Sequence, residues 1–378
     1  MKRRIFFGCS TAAGIAGFAA CSKDDEMAGN TSARSENDDP IDDADSFHRS
    51  ILTLDTHDDI QRQFIESGLD LGSETEGRQV DLVKMEKGGL DAQFFVVYTH
   101  QKIPSDETYE EAYRTALRYF DGIRHMCSER NPDKFELALS PDDVQKIVAG
   151  GKKAAIIGVE NGFPIGEDIN RVEEFHSLGA RYITLTHMGY NQLGDSGNEN
   201  SEVPARKHGG LTGLGREVVG EMNRLGIMVD LSHVARDTFY DALILTKAPV
   251  ICTHSGCRAL CDTARNLDDY QLRALTDNGG LICLVAYKGY VKDPSDEATL
   301  SDYIDHIDHA VAVAGIDHVG IGADFDGGGG LPDFMDASDC INVTRELVKR
   351  GYSRTDIEKI WSGNVLRVWR EVENKATT

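Results

Sequence analysis

Short apolar runs alternate with amphipathic stretches along the chain from residue 47 onward. Eight of these runs have the length and composition of strands, and they span residues 51–55, 92–98, 154–159, 182–185, 226–230, 250–253, 280–285 and 319–323. The run at 154–159 contains no polar side chain, which is typical of a strand buried on both faces. Stretches between the runs, such as 215–225, have helical periodicity, so the order of elements favours a parallel sheet.

Eight strand and helix units are the number that closes a (β/α)8 barrel of the TIM type. The chain has 378 residues. Barrels of this type hold about 250 residues or more in one domain, so the length does not require a second domain. We therefore predict an α/β fold in which a single catalytic barrel domain covers residues 46–378.

The first 45 residues lack this alternation and are expected to precede the barrel. Three basic residues at 2–4 are followed by a short run of small and apolar residues, which ends in Phe18-Ala19-Ala20-Cys21. This pattern resembles the lipobox of a bacterial lipoprotein. We therefore predict a signal peptide at 1–20, lipidation of Cys21 and a location in the bacterial cell envelope, periplasmic or surface-exposed. Residues 21–45 are polar and acidic, and we predict that they form a disordered tether.

The charge of the chain limits the partners that it can bind. Its formal net charge is −23 at pH 7, from 40 basic and 63 acidic residues, which disfavours nucleic acids and anionic lipid surfaces. The apolar run before Cys21 is also too short to cross a bilayer, which needs about 20 residues. We therefore expect no nucleic-acid partner, and contact with a membrane only through the lipid anchor.

Six cysteines follow Cys21, and they form neither Cys-x-x-Cys pairs nor zinc-finger spacings. Cys252 and Cys283 lie inside predicted strands, where buried free thiols are expected. Disulfides among the other four stay open. Two histidines, His306 and His309, have the spacing of one helix face, which we interpret as a solvated helix surface.

Residue types that bind metals recur at the C-terminal ends of six of the eight predicted strands. These ends converge on one face of a barrel, where the active sites of this fold lie. His57 and Asp59 point to the same side of an extended segment, because strand side chains alternate. With Glu160, His233 and His254 they provide enough nitrogen and oxygen ligands for two metal ions that share a carboxylate. The absence of cysteine from this set favours a catalytic zinc site over a structural one.

Motifs between residues 47 and 372 resemble, in the same order, those of the membrane dipeptidase (renal dipeptidase) family. They are LDTHDD, GVENG, ITLTHMGYN, MVDLSHV, VICTHSGCR, ARN, GADFDG and GNVLRVW. The members of this family are binuclear zinc peptidases with an amidohydrolase-like barrel. The resemblance implies zinc-dependent hydrolysis of the peptide bond of dipeptides by a metal-bridging hydroxide, and it leaves open whether a D-residue is accepted at the C-terminal position.

The resemblance also implies a role for each site residue and the partners of the chain. One zinc ion would be held by His57, Asp59 and Glu160, and a second by Glu160, His233 and His254, so that Glu160 bridges the two. The substrate carbonyl would be bound by His187, the C-terminal carboxylate of the dipeptide by Arg265 and Tyr290, and the proton would be handled by Asp324. The partner is then a dipeptide substrate, and a homodimer is compatible with the resemblance.

The chain departs from the usual family pattern at two motifs. Family members commonly have His-Asn-Asp and Glu-Gly-Gly or Glu-Gly-Ala, where this chain has His57-Asp58-Asp59 and Glu160-Asn161-Gly162. Tyr290 is matched by its spacing alone. All five metal-ligand positions are nevertheless present.

Two other functions remain open at this stage. A related metal-dependent hydrolase acting on a non-peptide amide, a lactone or an ester would share the metals but would not need Arg265. A non-catalytic peptide-binding lipoprotein would not need two complete metal sites. The serine-hydrolase motif Gly-x-Ser-x-Gly and the zincin motif His-Glu-x-x-His are absent from the sequence.

Overall fold

The computed structural model describes residues 41–377. The predicted signal peptide, Cys21 and most of the predicted tether lie outside these residues. The strands are β1 (Leu54–Asp59), β2 (Ala92–Tyr98), β3 (Phe135–Leu137), β4 (Lys153–Glu160), β5 (Ala180–Thr184), β6 (Met228–Asp230), β7 (Ile251–Ser255), β8 (Leu281–Leu284) and β9 (Val319–Ile321). They pair in parallel in the order β1-β2-β4-β5-β6-β7-β8-β9, and β3 pairs with β4 outside this path. The sheet is a nearly closed eight-stranded barrel, so the predicted α/β barrel fold is confirmed.

The barrel closes between β1 and β9 mainly through isolated contacts. Asp58 and Phe325 form a single parallel bridge, in which the Asp59 backbone N–H donates to the Phe325 carbonyl oxygen at 2.9 Å. The Thr56 hydroxyl donates to the Ile321 carbonyl oxygen at 3.0 Å. This seam therefore depends on side chains more than most of the other strand pairs do, although β6 and β7 also share a single registered pair, Asp230 and Ile251.

Helices surround the barrel and close its N-terminal end. They are α1 (Ala44–His48), α2 (Arg62–Glu66), α3 (Leu82–Gly88), α4 (Asp106–His125), α5 (Pro141–Ala149), α6 (Asn170–Leu178), α7 (Gly213–Leu225), α8 (Arg236–Leu245), α9 (Asp269–Asn278), α10 (Lys288–Val291), α11 (Leu300–Ala314), α12 (Cys340–Lys349), α13 (Arg354–Glu358) and α14 (Asn364–Lys375). Helix α4 begins with a capping box at Ser105, and the Thr212 side chain caps α7. These caps satisfy N–H groups that the first helical turns leave free.

The strand side chains divide between two apolar layers. One layer fills the inside of the barrel with residues such as Phe94, Ile156 and Tyr182, and Trp369 of α14 packs beneath Phe94. The other layer lies between the strands and the surrounding helices, and it includes Phe95 and Ile157. Because alternate residues of β2 and β4 enter opposite layers, both faces of these strands are buried, as their apolar sequences predict.

The ordered fold begins before the predicted boundary at residue 46. Helix α1 includes the last two residues of the predicted tether, and the Asp43 side chain caps it. Asp45 accepts a hydrogen bond from Arg345 Nε at 2.6 Å, which joins α1 to α12. Phe47 and His48 are buried against the barrel.

The six cysteines within residues 41–377 are all buried and free of disulfides. The prediction for Cys252 and Cys283 is confirmed, and the other four thiols, which the sequence left open, are also unpaired in this part of the chain. None of the helices in the same residues is long and apolar enough to span a membrane.

The interpretation of His306 as part of a solvated surface is wrong. His306 is buried in α11, accepts a hydrogen bond from the Cys257 backbone N–H and donates one to the Val291 carbonyl oxygen, both at 2.9 Å. It thereby ties the loop after β7 to the end of α10. His309 remains partly exposed and pairs with Asp269 at 2.8 Å.

Candidate active site

Polar side chains collect at the C-terminal end of the barrel, around the carboxylate of Glu160. Glu160 is the last residue of β4, and four imidazole Nε2 atoms surround its Oε1 atom. The distances to Oε1 are 3.0 Å from His233, 3.3 Å from His254, 3.7 Å from His57 and 3.9 Å from His187. Four different strands and strand-end loops therefore place one nitrogen each around a single carboxylate.

Two further carboxylates lie on the β1 side of this group. Asp59 Oδ2 is 3.8 Å and Asp324 Oδ1 is 4.0 Å from His57 Nε2. The ligand atoms fall into three overlapping groups within which all lie at most 4.8 Å apart, namely His57-Glu160-His254, Glu160-His187-His233 and His57-Asp59-Asp324. The five predicted metal ligands, His187 and Asp324 thus form one continuous cluster.

The cluster fits a divalent metal ion. His57 Nε2 and Asp59 Oδ1 are buried without a hydrogen-bond partner. Most nitrogen-to-oxygen separations in the cluster exceed hydrogen-bond length, but they suit two ligands that each lie about 2.0–2.2 Å from a shared zinc ion. Imidazole nitrogen and carboxylate oxygen, without thiolate, are the donors expected of a catalytic site.

The charges of the cluster also favour a cation. Burial alone would raise the pKa of Glu160, but His187 and His57 nearby and hydrogen bonds from His233 and His254 hold it well below its usual value. Burial lowers the pKa values of His233 and His254, so both imidazoles are neutral and can act as ligands. Against its burial, the carboxylates beside His57 raise its pKa to about 9, so positive charge is favoured at this point.

Hydrogen bonds behind the histidines direct their Nε2 atoms into the cluster. His57 Nδ1 donates to the Tyr182 hydroxyl oxygen at 3.0 Å, and that hydroxyl donates to the Thr56 carbonyl oxygen. His254 Nδ1 donates to the Thr253 hydroxyl at 2.9 Å, and this hydroxyl donates to Asp230 Oδ2 at 2.7 Å. Such partners fix the tautomer and the ring orientation of metal-binding histidines.

A glycine in β4 makes room for one of these supports. A Cβ atom on Gly158 would lie 2.1 Å from Cζ of the Tyr182 ring, so a larger residue there would displace the phenol. Asn161, His233 and Asp324 adopt positive φ angles of 78°, 66° and 64°. Left-handed backbone is costly for such residues and is concentrated at functional sites.

Arg265 and Tyr290 lie together beside the cluster. Arg265 is 3% exposed, its Nη1 donates to the Ser255 hydroxyl at 2.7 Å, and its Nε has no partner. Its guanidinium carbon lies 5.6 Å from the centre of the Tyr290 ring. The Asn266 side chain donates to the Tyr290 carbonyl oxygen at 2.8 Å and so connects the loop after β7 to α10. A buried guanidinium with a free N–H can bind a carboxylate.

Asp324 and His187 complete the group of predicted residues. Burial raises the pKa of Asp324 to about 7. The His187 ring lies 4.4 Å from the His233 ring and 5.1 Å from the Tyr98 ring. Burial lowers the pKa of His187. A carboxyl that titrates near neutrality and a neutral imidazole therefore flank the candidate metal site.

A cavity of about 440 Å³ opens beside Asp59. Its walls include the aromatic rings of Tyr98 and Tyr119, and polar groups such as Lys102 and Glu111 lie at its rim. Arg265 and Tyr290 do not line this cavity, so the cluster has the guanidinium on one side and the open space on another.

Several residues of this site were not predicted from the sequence. Tyr182, Thr253 and Asp230 lie within or at the end of predicted strands, but nothing in the apolar pattern marks them as supports of histidines. Arg78 is buried between Asp58 and Asp326 in a loop that contains no metal-ligand motif. The one sequence signal connected with this ion pair was the departure from the family pattern at Asp58, the residue that Arg78 contacts.

The chain matches known dipeptidases over its described length. The profile of the membrane dipeptidase family, peptidase family M19, matches residues 41–378. The dipeptidase tcpJ of Claviceps purpurea is 36% identical over 307 residues, which cover 79% of this chain and 70% of that protein. The dipeptidase aclJ of Aspergillus oryzae is 36% identical over 304 residues, or 79% and 71% of the two chains.

Solved structures of a probable dipeptidase and of a metallo peptidase also superpose on this chain. The probable dipeptidase PvdM from Pseudomonas aeruginosa superposes with a TM-score of 0.82 at 28% identity, covering 88% of this chain and 98% of that one. A metallo peptidase from Rhodobacter sphaeroides, liganded with a phosphinate mimic of the dipeptide L-Ala-D-Ala, superposes with a TM-score of 0.76 at 26% identity, covering 85% and 99%.

Proposed function

The chain belongs to the membrane dipeptidase family of metallopeptidases, peptidase family M19, and from this premise we propose that it hydrolyses the peptide bond of dipeptides with two zinc ions. The observation that carries the proposal is the position of Glu160, whose Oε1 atom lies 3.0–3.9 Å from four imidazole nitrogens. A carboxylate so placed can serve two ions at once.

In this proposal His57, Asp59 and Glu160 would hold one ion, and Glu160, His233 and His254 would hold the other. Bound zinc supplies Lewis-acid polarisation of the peptide carbonyl and lowers the pKa of water toward about 7. Tyr182 and Thr253 keep the ligand imidazoles oriented through the hydrogen bonds at their Nδ1 atoms.

The remaining side chains bind the substrate and move the proton. His187 Nε2–H donates to the carbonyl oxygen, on which negative charge develops during attack. Asp324 accepts the proton of the attacking water and returns it to the leaving amine, a role that suits its pKa of about 7. Arg265 binds the C-terminal carboxylate with its planar fork, beside the Tyr290 ring.

The contact between Arg265 and His254 supports a short substrate. Arg265 donates to the backbone carbonyl oxygen of His254, whose side chain is a ligand in the proposal, so a carboxylate bound by Arg265 would lie close to the metal site. The cavity beside Asp59 then receives the side chain of the first residue. We extend the proposal to dipeptides with a C-terminal D-residue, because the Rhodobacter sphaeroides neighbour is liganded with a mimic of L-Ala-D-Ala.

We also propose that a lipid on Cys21 anchors the protein in the bacterial cell envelope. The proposal is supported by the basic start of the chain and by Phe18-Ala19-Ala20-Cys21. Two acyl chains give a stable attachment, which one chain does not. The homodimer that the resemblance allows stays a prediction.

Metal analysis and turnover of a dipeptide panel test the proposed function. The wild-type protein should contain about two zinc equivalents, and a chelator should abolish its activity. Glu160→Gln should lose both ions and more than about 100-fold of kcat/KM, because even residues that support ligands contribute 10- to 100-fold. The matched control is Glu167→Gln, an exposed glutamate, which should change neither property.

Three outcomes would contradict the proposal. A fully active metal-free protein would exclude the metal mechanism. Binding of dipeptides without hydrolysis would indicate a peptide-binding lipoprotein. Hydrolysis of lactones, esters or non-peptide amides in preference to dipeptides would indicate a related hydrolase of different specificity.

A further inference from the structure

An ion-pair group is buried at the seam between β1 and the loop that follows β9. Arg78 Nη2 lies 2.7 Å from Asp58 Oδ2 and 3.1 Å from Asp326 Oδ2. The side chains of all three residues are at most 1% exposed. A buried charge is costly unless it is paired and hydrogen-bonded, so each member of this group depends on the others.

The same guanidinium also binds backbone on β1 and on its own loop. Arg78 Nη1 donates to the Asp59 carbonyl oxygen and Nε donates to the Val80 carbonyl oxygen, both at 3.2 Å. One side chain therefore has four acceptors, which belong to the end of β1, to the loop after β1 and to the loop after β9. Only the planar fork of arginine reaches acceptors in so many directions at once.

Gln79 strengthens the connection from the neighbouring position. Its backbone N–H donates to Asp326 Oδ1 at 3.0 Å, and its side-chain oxygen accepts from the Asp326 backbone N–H at 2.6 Å. Its side-chain amide donates to the Gly329 carbonyl oxygen at 2.9 Å. The loop that carries Asp324 is thus held against the loop after β1 by side chains, at the seam where the barrel has a single backbone bridge.

Two groups of the proposed mechanism meet at this seam. Asp59 directly follows Asp58, and Asp324 lies two residues before Asp326. The loops approach so closely that a Cβ atom on Gly327 would lie 2.0 Å from Asp59 Oδ2 and 2.6 Å from Asp324 Oδ1. A small shift of one loop would therefore change the separation of the two carboxylates.

We propose that Arg78 is a positioning residue, which fixes Asp59 and Asp324 relative to each other by holding their neighbours Asp58 and Asp326. The inference rests on the proposed function, in which Asp59 binds a metal ion and Asp324 moves the proton. It also accounts for the departure from the family pattern at position 58. A carboxylate replaces the common asparagine where a buried guanidinium pairs with it.

The test compares Arg78→Lys with Arg181→Lys in the full chain. Arg181 is also buried and donates to three backbone carbonyl oxygens, of Leu139, His176 and Ala180, but it lies at the opposite end of the barrel. Both variants keep a positive charge and lose the guanidinium fork, so both should lower the melting temperature. Only Arg78→Lys should affect the site.

For Arg78→Lys we expect zinc affinity, measured by chelator competition, to fall about 10- to 100-fold for one of the two ions, and kcat to fall by a similar factor. The affinity for the second ion and the KM for the dipeptide should stay within about twofold, because Arg265 and the β6 and β7 ligands are untouched. The visible spectrum of the cobalt-substituted protein should change for one ion only.

The result that overturns the inference is an Arg78→Lys protein with wild-type zinc affinities and kcat, whatever its melting temperature. If Arg78→Lys does not fold, Asp326→Asn tests the same connection, since it removes one charge and keeps an acceptor for the Gln79 N–H. Unchanged zinc affinities and kcat in that variant would also overturn it. A wild-type protein without metal or dipeptidase activity would instead contradict the proposed function.

Discussion

Arg265 lies almost completely buried beside the candidate metal-ligand cluster, although no carboxylate of the described residues forms an ion pair with it. The pKa values of His233 and His254 are lowered mainly by the burial of the two imidazoles, and the positive charge of Arg265 lowers them further. A buried guanidinium with an unpartnered Nε favours an anionic ligand from outside the protein. The substrate carboxylate is the anion that the proposed function supplies.

At this residue we predict that lysine does not replace arginine. Arg265→Ala should lower kcat/KM for a dipeptide about 30- to 1000-fold, because a charge-assisted contact in a desolvated pocket is worth on the order of 2–4 kcal/mol. Arg265→Lys should lie closer to the alanine variant than to wild type, since it loses the planar fork. Zinc content should not change in either variant.

A dipeptide and its C-terminal amide provide the control for this prediction. The wild-type enzyme should prefer the free acid by about the factor that Arg265→Ala loses, and the alanine variant should not discriminate. Equal turnover of acid and amide by the wild-type enzyme would show that the carboxylate is bound elsewhere or not at all.

Single residues differ in how far their roles could be predicted from the sequence. His57, Glu160 and His254 follow apolar runs, so their convergence follows from the barrel geometry alone. Tyr182 has the same pattern as any buried aromatic residue, and only its distance to His57 reveals its role. The burial of Arg78 could not be predicted from its own position in the sequence, because a charged residue in a loop is expected to be exposed.

At the scale of elements, the apolar runs predicted the existence of the eight barrel strands, but not the bounds of every strand. The bounds of β2 agree with the prediction, whereas β1 was expected at 51–55 and runs from Leu54 to Asp59. Its last three residues are polar, yet His57 and Asp58 are fully buried in the site, so a prediction from hydropathy ends the strand too early. The three-residue β3 was missed because Phe135 is its only buried residue.

Helix α4 provides a prediction about substrate size. Thr108, Glu111, Ala112 and Thr115 of this helix face the cavity beside Asp59. Ala112→Leu should fill part of that space and lower kcat/KM about tenfold or more for dipeptides with a bulky first residue, the range that a few methylene groups supply in a pocket. Dipeptides that begin with alanine should be hydrolysed as by wild type.

The matched control is Arg114→Leu on the same helix, because Arg114 is largely exposed and does not line the cavity. It should leave both classes of dipeptide unaffected. Equal losses for small and bulky first residues in Ala112→Leu would indicate that the first side chain lies outside the cavity.

At the scale of the whole molecule, the site and its supports lie within residues 56–329. The described fold, however, begins earlier, with α1. Asp43 caps this helix, Phe47 is buried, and His48 hydrogen-bonds to the Thr344 hydroxyl and to the Gly88 carbonyl oxygen at 2.7 and 2.8 Å. The start of the chain therefore contributes to stability through α1 and, in our proposal, to location through Cys21.

These two contributions can be separated with three forms of the chain. Cys21→Ala should release the protein from the membrane fraction with unchanged kcat/KM, because all proposed catalytic and metal-binding residues follow residue 56 in the sequence. Deletion of residues 1–40 should leave zinc content, kcat/KM and melting temperature unchanged. Deletion of residues 1–50 should lower the melting temperature by about 4–7 °C, since it removes a buried phenylalanine and buried hydrogen bonds worth about 3–5 kcal/mol together, and the unfolding entropy of a fold of this size is about 0.7 kcal/mol/K. A Cys21→Ala protein that stays with the membrane would contradict the anchor. Equal stability of the two deletions would show that α1 adds nothing to the barrel.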